Sequence, residues 1–277
     1  MFRTRLLSGI LLVIIALVTV ISGGNLLFAT ILLISLIGMG ELYQVFGVQK
    51  KMAGILGYVF AILYYVLLYL DQYIGVLRTV EVFGQISWFQ LLSMTAVIVL
   101  MAVYVFTFPN YRTEQILAVF FGMFYVVVML SYIFQIRILP EGQFSVWLVF
   151  LCSWGCDTCA YCVGVLFGKH KMAPVLSPKK SIEGAVGGVV GAALLGAIYA
   201  MAINHFGGAN ADAVSYAVIC AAGGLISMIG DLAASAIKRN HDIKDYGKLI
   251  PGHGGILDRF DSVIFTAPII YYLVVSL

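Results

Sequence analysis

The sequence predicts an all-α, polytopic integral membrane protein of about nine transmembrane helices, on three observations. First, 62% of its 277 residues are hydrophobic and only 10% are charged. Soluble domains carry about 25% charged residues, so this chain has too few to coat a water-facing surface. Second, several apolar runs reach the roughly 18–20 residues that cross a bilayer as helix. Third, these runs are continuous rather than alternating, which excludes a transmembrane β-barrel.

Taken in order, the apolar runs place spans at roughly 5–22, 25–47, 52–70, 88–108, 115–137, 143–167, 183–204, 213–238 and 256–276. The first follows MFRTR but ends in ISGGN, without a small-residue cleavage site, so it is read as a spanning helix and not a signal peptide. With the N-terminus inside, fourteen basic residues fall on the inner side and two, Arg78 and Arg137, on the outer. That asymmetry supports the span count, a cytoplasmic N-terminus and a C-terminus on the opposite side. Lys50 and Lys51 read as partners of anionic lipid headgroups.

Two inner loops, residues 168–184 and 238–259, hold nine of the sixteen basic residues. Residues 1–142 therefore read as scaffold helices, and 143–277 as the catalytic helices and cytoplasmic loops of a single transmembrane domain. Span seven carries Gly184/Gly188 and Gly187/Gly191, each pair four apart. That spacing lets helices approach closely in lipid, for internal packing or, less simply, for a homodimer contact.

Three acids lie at the inner ends of late spans. Asp231 sits seven residues before Lys238, inside LISMIGDLAASAIKR. A carboxylate at that depth costs several kcal/mol unless paired, metal-bound or wetted; an ion pair to another helix is the plain alternative to a functional role. Gly230 thins the helix there and leaves room for a ligand. Asp258 and Asp261, at i and i+3 of a helix start, share one face. Acids at a helix N-terminus also satisfy its dipole, but two around Arg259 beside GHGG ask for more. Asp231, Asp258 and Asp261 make a hard oxygen set suited to Mg²⁺ or Mn²⁺ and unsuited to Zn²⁺.

Lys179, Lys180, Lys238, Arg239, Lys244 and Arg259 beside such a set describe a site for a polyphosphate. Gly252, Gly254 and Gly255 let backbone approach phosphate, at the start of a helix that favours anions. Asp157 either binds a cation or holds a basic residue. Cys152, Cys156 and Cys159 form one helical stripe, for which packing is a plainer role than thiolate chemistry. No nucleic-acid partner is expected.

SAIKRNHDIKDYGKLIPGHGGILDRFDS, residues 235–262, resembles the signature of the phosphatidate cytidylyltransferases, or CDP-diacylglycerol synthases. DTCAYCVGVLFGKHKMAPVLSPKKSIEG, residues 157–184, resembles the same family. The resemblance implies CTP and phosphatidic acid as substrates and an active site on the cytoplasmic face of the inner membrane; the carboxylate set asks for Mg²⁺, with Mn²⁺ and an additional monovalent cation left open. For that reaction catalytic roles are expected of Asp258, Asp261, Lys238, Arg239 and Arg259 within the matching stretch and of Asp231, which lies outside it and comes from the reading of the residues, the three acids holding metal. Substrate contacts would come from Asp157, Ser177, Lys179, Lys180, Glu183, Lys244, Asp245, His253, Gly254 and Gly255. A CTP-dependent polyprenol or lipid kinase is the nearest alternative, and an ion-coupled transporter a more distant one.

Overall fold

The computed structural model describes residues 2–74 and 87–276, and shows nine helices among them. These are α1 (Phe2–Ser22), α2 (Gly24–Val45), α3 (Met52–Gln72), α4 (Trp88–Phe106), α5 (Thr113–Arg137), α6 (Gly142–Phe167), α7 (Ile182–Gly207), α8 (Ala213–Asn240) and α9 (Leu257–Ser276). All but α1 are long and apolar enough to cross a membrane; the described apolar part of α1, Ser8–Ser22, is shorter. The protein is thus all-α and polytopic, as its composition requires. Arg78 lies outside the described residues, as do the side chains of Arg3 and Arg5.

The chain forms two compact units. One is Leu32–Val128 and the other combines Met1–Ile31 with Met129–Leu277. In the first unit, the Tyr43 hydroxyl, fully buried, donates to the Val119 carbonyl at 2.8 Å. Ser35 and Tyr65 share a second buried hydrogen bond at 2.8 Å. Lys51 donates to Gln115 at 3.1 Å and lies 5.3 Å from the centre of the Tyr111 ring. Its charge is therefore met inside the protein, where the sequence reading had given it to lipid headgroups.

In the second unit, the α1–α2 link turns on two glycines in the left-handed region, Gly23 at φ +61° and Gly24 at φ +50°. The carbonyls left open at the end of α1 accept from Arg137, whose Nε meets Val20 O at 3.1 Å and whose terminal nitrogen meets Ile21 O at 3.3 Å. A cation at a helix C-terminus is favourable on both counts, hydrogen bonding and dipole. Arg137, one of two exceptions in the charge count, is thus a helix cap.

The glycines of α7 are spent inside this unit. A Cβ on Gly187 would lie 2.5 Å from Val163, one on Gly191 2.5 Å from Cys159, and one on Gly188 3.0 Å from Cys156 Sγ. So α7 packs on α6 with backbones nearly touching, the internal role that small residues play in lipid. The cysteine stripe serves such close packing on two sides: Cys152 and Cys156 are fully buried, and a Cβ on Gly223 of α8 would meet Cys152 Sγ at 2.7 Å. Between α6 and α7, where the sequence reading had only a loop, the chain forms a hairpin of β1 (Lys171–Ala173) and β2 (Ser177–Ser181).

Candidate active site

Four elements of the second unit deliver the polar groups: the end of α6, the hairpin, the end of α8 and the start of α9. In α6 a wider, π-type turn spans Leu151–Gly155 and ends two residues before Asp157. Such turns shift the register of every residue that follows and recur at functional sites. Asp157 there lies within electrostatic range of Asp231, Lys180 and Arg259.

Asp231 of α8 forms an ion pair with Lys180 of β2, both side chains about one-quarter exposed. Asp261 of α9 is buried and lies within range of Asp231, Lys238 and Asp157. What brings α8 and α9 together here is Gly230: a Cβ on it would stand 2.8 Å from the Asp261 carbonyl and 3.1 Å from Phe265. The space next to Gly230 is therefore occupied by the backbone of α9 and not kept for a ligand. Asp157, Asp231 and Asp261 form the acidic centre, with Lys180 and Arg259 beside them.

Asp258 stands apart. Its Oδ1 accepts from Lys238 Nζ at 2.9 Å, and its Oδ2 accepts from the backbone N–H of Tyr246 at 2.8 Å and of Gly255 at 3.0 Å. Its side chain is only 1% exposed. Gly254, at φ +86°, adopts a conformation that favours glycine, and a Cβ on it would lie 2.8 Å from that same carboxylate. Here the missing side chain makes room for Asp258, where the sequence reading had offered it to phosphate. Tyr246, which the sequence reading passed over, completes this brace. Lys238 Nζ lies 5.3 Å from its ring centre, and its hydroxyl donates to Ala234 O at 3.1 Å.

The turn at 250–255 closes on itself through Ile250 N–H to Gly254 O at 2.8 Å and His253 N–H to Ile250 O at 2.9 Å. Its other face rests on α1. Ser8 Oγ donates to Pro251 O at 3.1 Å and lies 2.8 Å from His253 Nδ1. With its one proton on the carbonyl, the hydroxyl accepts from Nδ1–H of His253. Nothing in the sequence singles out Ser8 among the apolar residues of its helix.

The remaining expected residues frame the site. Glu183 accepts from the backbone N–H of Lys169 at 3.0 Å and of His170 at 3.2 Å, and pairs with the His170 ring. It holds the chain where α6 turns into the hairpin. Ser177 pairs with Ala173 at the closed end of the hairpin. Arg239 is exposed and donates to Ile243 O at 3.2 Å.

Two cavities open at this end of the unit. One, of about 480 Å³, lies among α6, α7, α8 and the hairpin, and its wall includes Asp157, Asp231, Lys171, Lys179 and Lys180. The other, of about 510 Å³, lies under the glycine turn and includes Lys244, Asp245, Lys248, His253 and Arg259. The Nε of Arg259 is buried without a hydrogen-bond partner. Acids, the unpartnered Nε of Arg259 and lysines gathered at the end of apolar helices are equipped to bind phosphate groups presented at a membrane face.

The model of the cytidylyltransferase family matches residues 3–277. The chain belongs to the cytidylyltransferase family. Among relatives, a phosphatidate cytidylyltransferase of Bacillus subtilis (strain 168) is 32% identical over 98% of this chain and 97% of its own. One from Staphylococcus haemolyticus is 30% identical over 99% of this chain and all of its own. One from Synechocystis is 42% identical over 138 residues, half of this chain and 45% of its own. This member is accordingly a nucleotidyltransferase embedded in a membrane.

Among the described residues no three His, Cys, Asp or Glu side chains converge on one point. Mg²⁺ does not need them to, since it usually binds one or two carboxylates plus phosphate oxygens of the substrate. Asp231 and Asp261 fit that description; Asp258, with both oxygens engaged, does not.

Proposed function

We propose that this chain is a phosphatidate cytidylyltransferase, converting CTP and phosphatidic acid to CDP-diacylglycerol and pyrophosphate on the cytoplasmic face of the cell membrane. The observation that carries the reading is the acidic centre of Asp157, Asp231 and Asp261, flanked by Lys180 and Arg259 at the charged end of apolar helices. The one-sided distribution of basic residues supports the cytoplasmic placement.

An oxygen of the lipid phosphate attacks the α-phosphorus of CTP, and the bond from that phosphorus to the β-phosphate oxygen breaks. The nucleophile is already largely dianionic near neutral pH, its second pKa being about 6, so no strong general base is needed. The problem is to bring two polyanions together and stabilise the departing pyrophosphate. Lys180 and Arg259 offset that charge where it develops. Bound Mg²⁺ would neutralise phosphate oxygens and polarise the α-phosphate, with Asp231 and Asp261 as its protein ligands. Asp258 works indirectly: through Lys238, Tyr246 and Gly255 it fixes the glycine turn that carries His253.

The test uses purified protein with phosphatidate, Mg²⁺ and CTP labelled at either the α- or the γ-phosphate. The α-label is expected in the lipid and the γ-label in pyrophosphate. A γ-label in the lipid would show a lipid kinase and overturn the assignment.

A further inference from the structure

We propose that the β1–β2 hairpin is an interfacial anchor: its tip, residues 174–176, sits among the headgroups of the protein's own membrane, and its lysines hold anionic lipids there that are not turned over. The proposal rests on α6 and α7 spanning the membrane and not on the reaction proposed above.

The hairpin begins and ends at the membrane boundary. Phe167 closes α6 and Ile182 opens α7, both helices are apolar enough to cross a membrane, and both of these side chains are exposed. Exposed apolar side chains on spanning helices face lipid, so the bilayer reaches the base of the hairpin. A strand advances about 3.3 Å per residue, which gives the three-residue β1 a reach of about 10 Å. The headgroup layer is itself about 5–8 Å deep on each side of the bilayer. Even upright, the hairpin would barely clear it.

The hairpin does not stand upright. Lys171, Met172, Lys179 and Lys180 share one cavity wall with Tyr161 and Val165 of α6. Tyr161 precedes the last residue of α6, Phe167, by roughly 9 Å along the helix axis. Tyr161 and Val165 are 72% and 67% exposed, so the strands fold back beside the lipid-facing side of α6. The base holds them there. Ile182 N–H donates to His170 O at 2.9 Å, and Glu183 accepts from the N–H of Lys169 and His170. A Cβ on Gly168 would lie 2.7 Å from Ser181 Oγ.

The composition fits an anionic headgroup layer. At the tip Pro174 is exposed and Val175 is 85% exposed. Water gains nothing from such a side chain, whereas the headgroup–acyl boundary accepts it. Residues 168–181 contain Lys169, Lys171, Lys179 and Lys180 and no acid. Lys180 is committed to Asp231, and the other three are exposed. Glu183, just past the hairpin, is already engaged by the His170 ring and the backbone. Uncompensated lysines beside a bilayer attract anionic headgroups, and their long stems let the ammonium reach phosphate while the strand lies on apolar material. An acidic protein would match the charge but not an apolar tip turned back along the lipid-facing side of a helix. The anchor also serves the site, because β2 carries the Lys180 that pairs with Asp231.

The experiment measures the depth of the tip in the full-length protein. Val175→Cys is combined with Cys159→Ala and Cys162→Ala, the remaining cysteines being buried, and carries a nitroxide. Val175 is an exposed turn residue, so the label leaves the packing intact. A second label on His241→Cys, exposed at the end of α8, gives the water reference. Collision with a water-soluble nickel chelate is compared with collision with oxygen in phosphatidylglycerol nanodiscs. The label at 175 is expected to meet nickel about fivefold less than the label at 241. Phosphatidylcholine nanodiscs, or salt raised from about 0.1 M to about 1 M, should restore nickel access about twofold or more, since the screening length falls from about 10 Å to about 3 Å. Lys169→Gln should restore part of it in phosphatidylglycerol. Equal nickel access at both labels overturns the proposal. Protection at 175 that ignores both headgroup charge and salt assigns the cover to protein, a second copy of the chain included, and overturns it as well.

Discussion

Removing the Asp258 carboxylate separates a brace from a metal ligand by the sign of its effect on stability. The Asp258 side chain is 1% exposed and that of Lys238 is 11% exposed, so solvent screens this pair little. Asp258→Ala leaves a buried ammonium without its partner, a defect worth about 3–5 kcal/mol. It also strips the acceptor from the N–H groups of Tyr246 and Gly255, each costing about 1–3 kcal/mol if left buried. A loss of at least ~4 kcal/mol is expected. Adding Lys238→Met removes the stranded charge and should restore part of that loss, giving a coupling of about 2 kcal/mol in a double-mutant cycle. The assay is unfolding by SDS titration in mixed micelles, carried out in EDTA. A metal ligand would behave oppositely, because without its ion a carboxylate repels its neighbours and removing it stabilises. If Asp258→Ala in EDTA is as stable as wild type or more so, the brace is refuted.

Asp261→Asn should show that opposite behaviour: neutral or slightly stabilising without metal, since Asp231 and Asp157 lie within range, yet with turnover reduced at least 100-fold. Both are read from SDS titration and label transfer on one preparation. Gly230→Ala forces a methyl to 2.8 Å from the Asp261 carbonyl and should cost about 1–3 kcal/mol, with turnover falling as α8 and α9 separate. Ser8→Ala should lower kcat/KM about tenfold at unchanged thermal stability by loosening the turn that carries His253, with Ser8→Thr restoring it; an unaltered kcat/KM would reduce Ser8 to packing. Cys159→Ala/Cys162→Ala should keep full activity, because these thiols are the more exposed ones, whereas Cys152→Ala should lose about 1 kcal/mol of packing in SDS titration.

Spans and loops were legible because they rest on length and apolarity, which are local. The acids were legible as types, since Asp157 and Asp231 are costly in apolar helices whatever surrounds them. Partner choice was not legible. The Lys180–Asp231 pair joins residues 51 apart in sequence, and the hairpin that presents Lys180 follows only from backbone pairing between Lys171 and Ser181. Tyr246 and Ser8 were missed for the same reason, since each acts through a contact with a distant segment and neither side chain is unusual where it stands. The glycines illustrate a further limit. Their spacing announces close approach but not what approaches: α6 at Gly187 and Gly191, the backbone of α9 at Gly230, a carboxylate at Gly254.

Asp258 and Asp261 show where helical periodicity stops informing. At i and i+3 they share a helix face, and periodicity alone gives them one role. Yet Asp258 lies in the first turn of α9, where the chain arriving from the glycine turn folds back over it. Asp261, one turn deeper, meets α8 at the notch that Gly230 leaves. The turn therefore splits the pair, closing over one carboxylate and leaving the other among Asp231 and Asp157. Its direction depends on left-handed backbone at Gly252 and Gly254, which glycine permits but does not impose. Of two acids three residues apart, the one beside the glycines holds the turn in place, and the one farther in stands among the acids of α6 and α8.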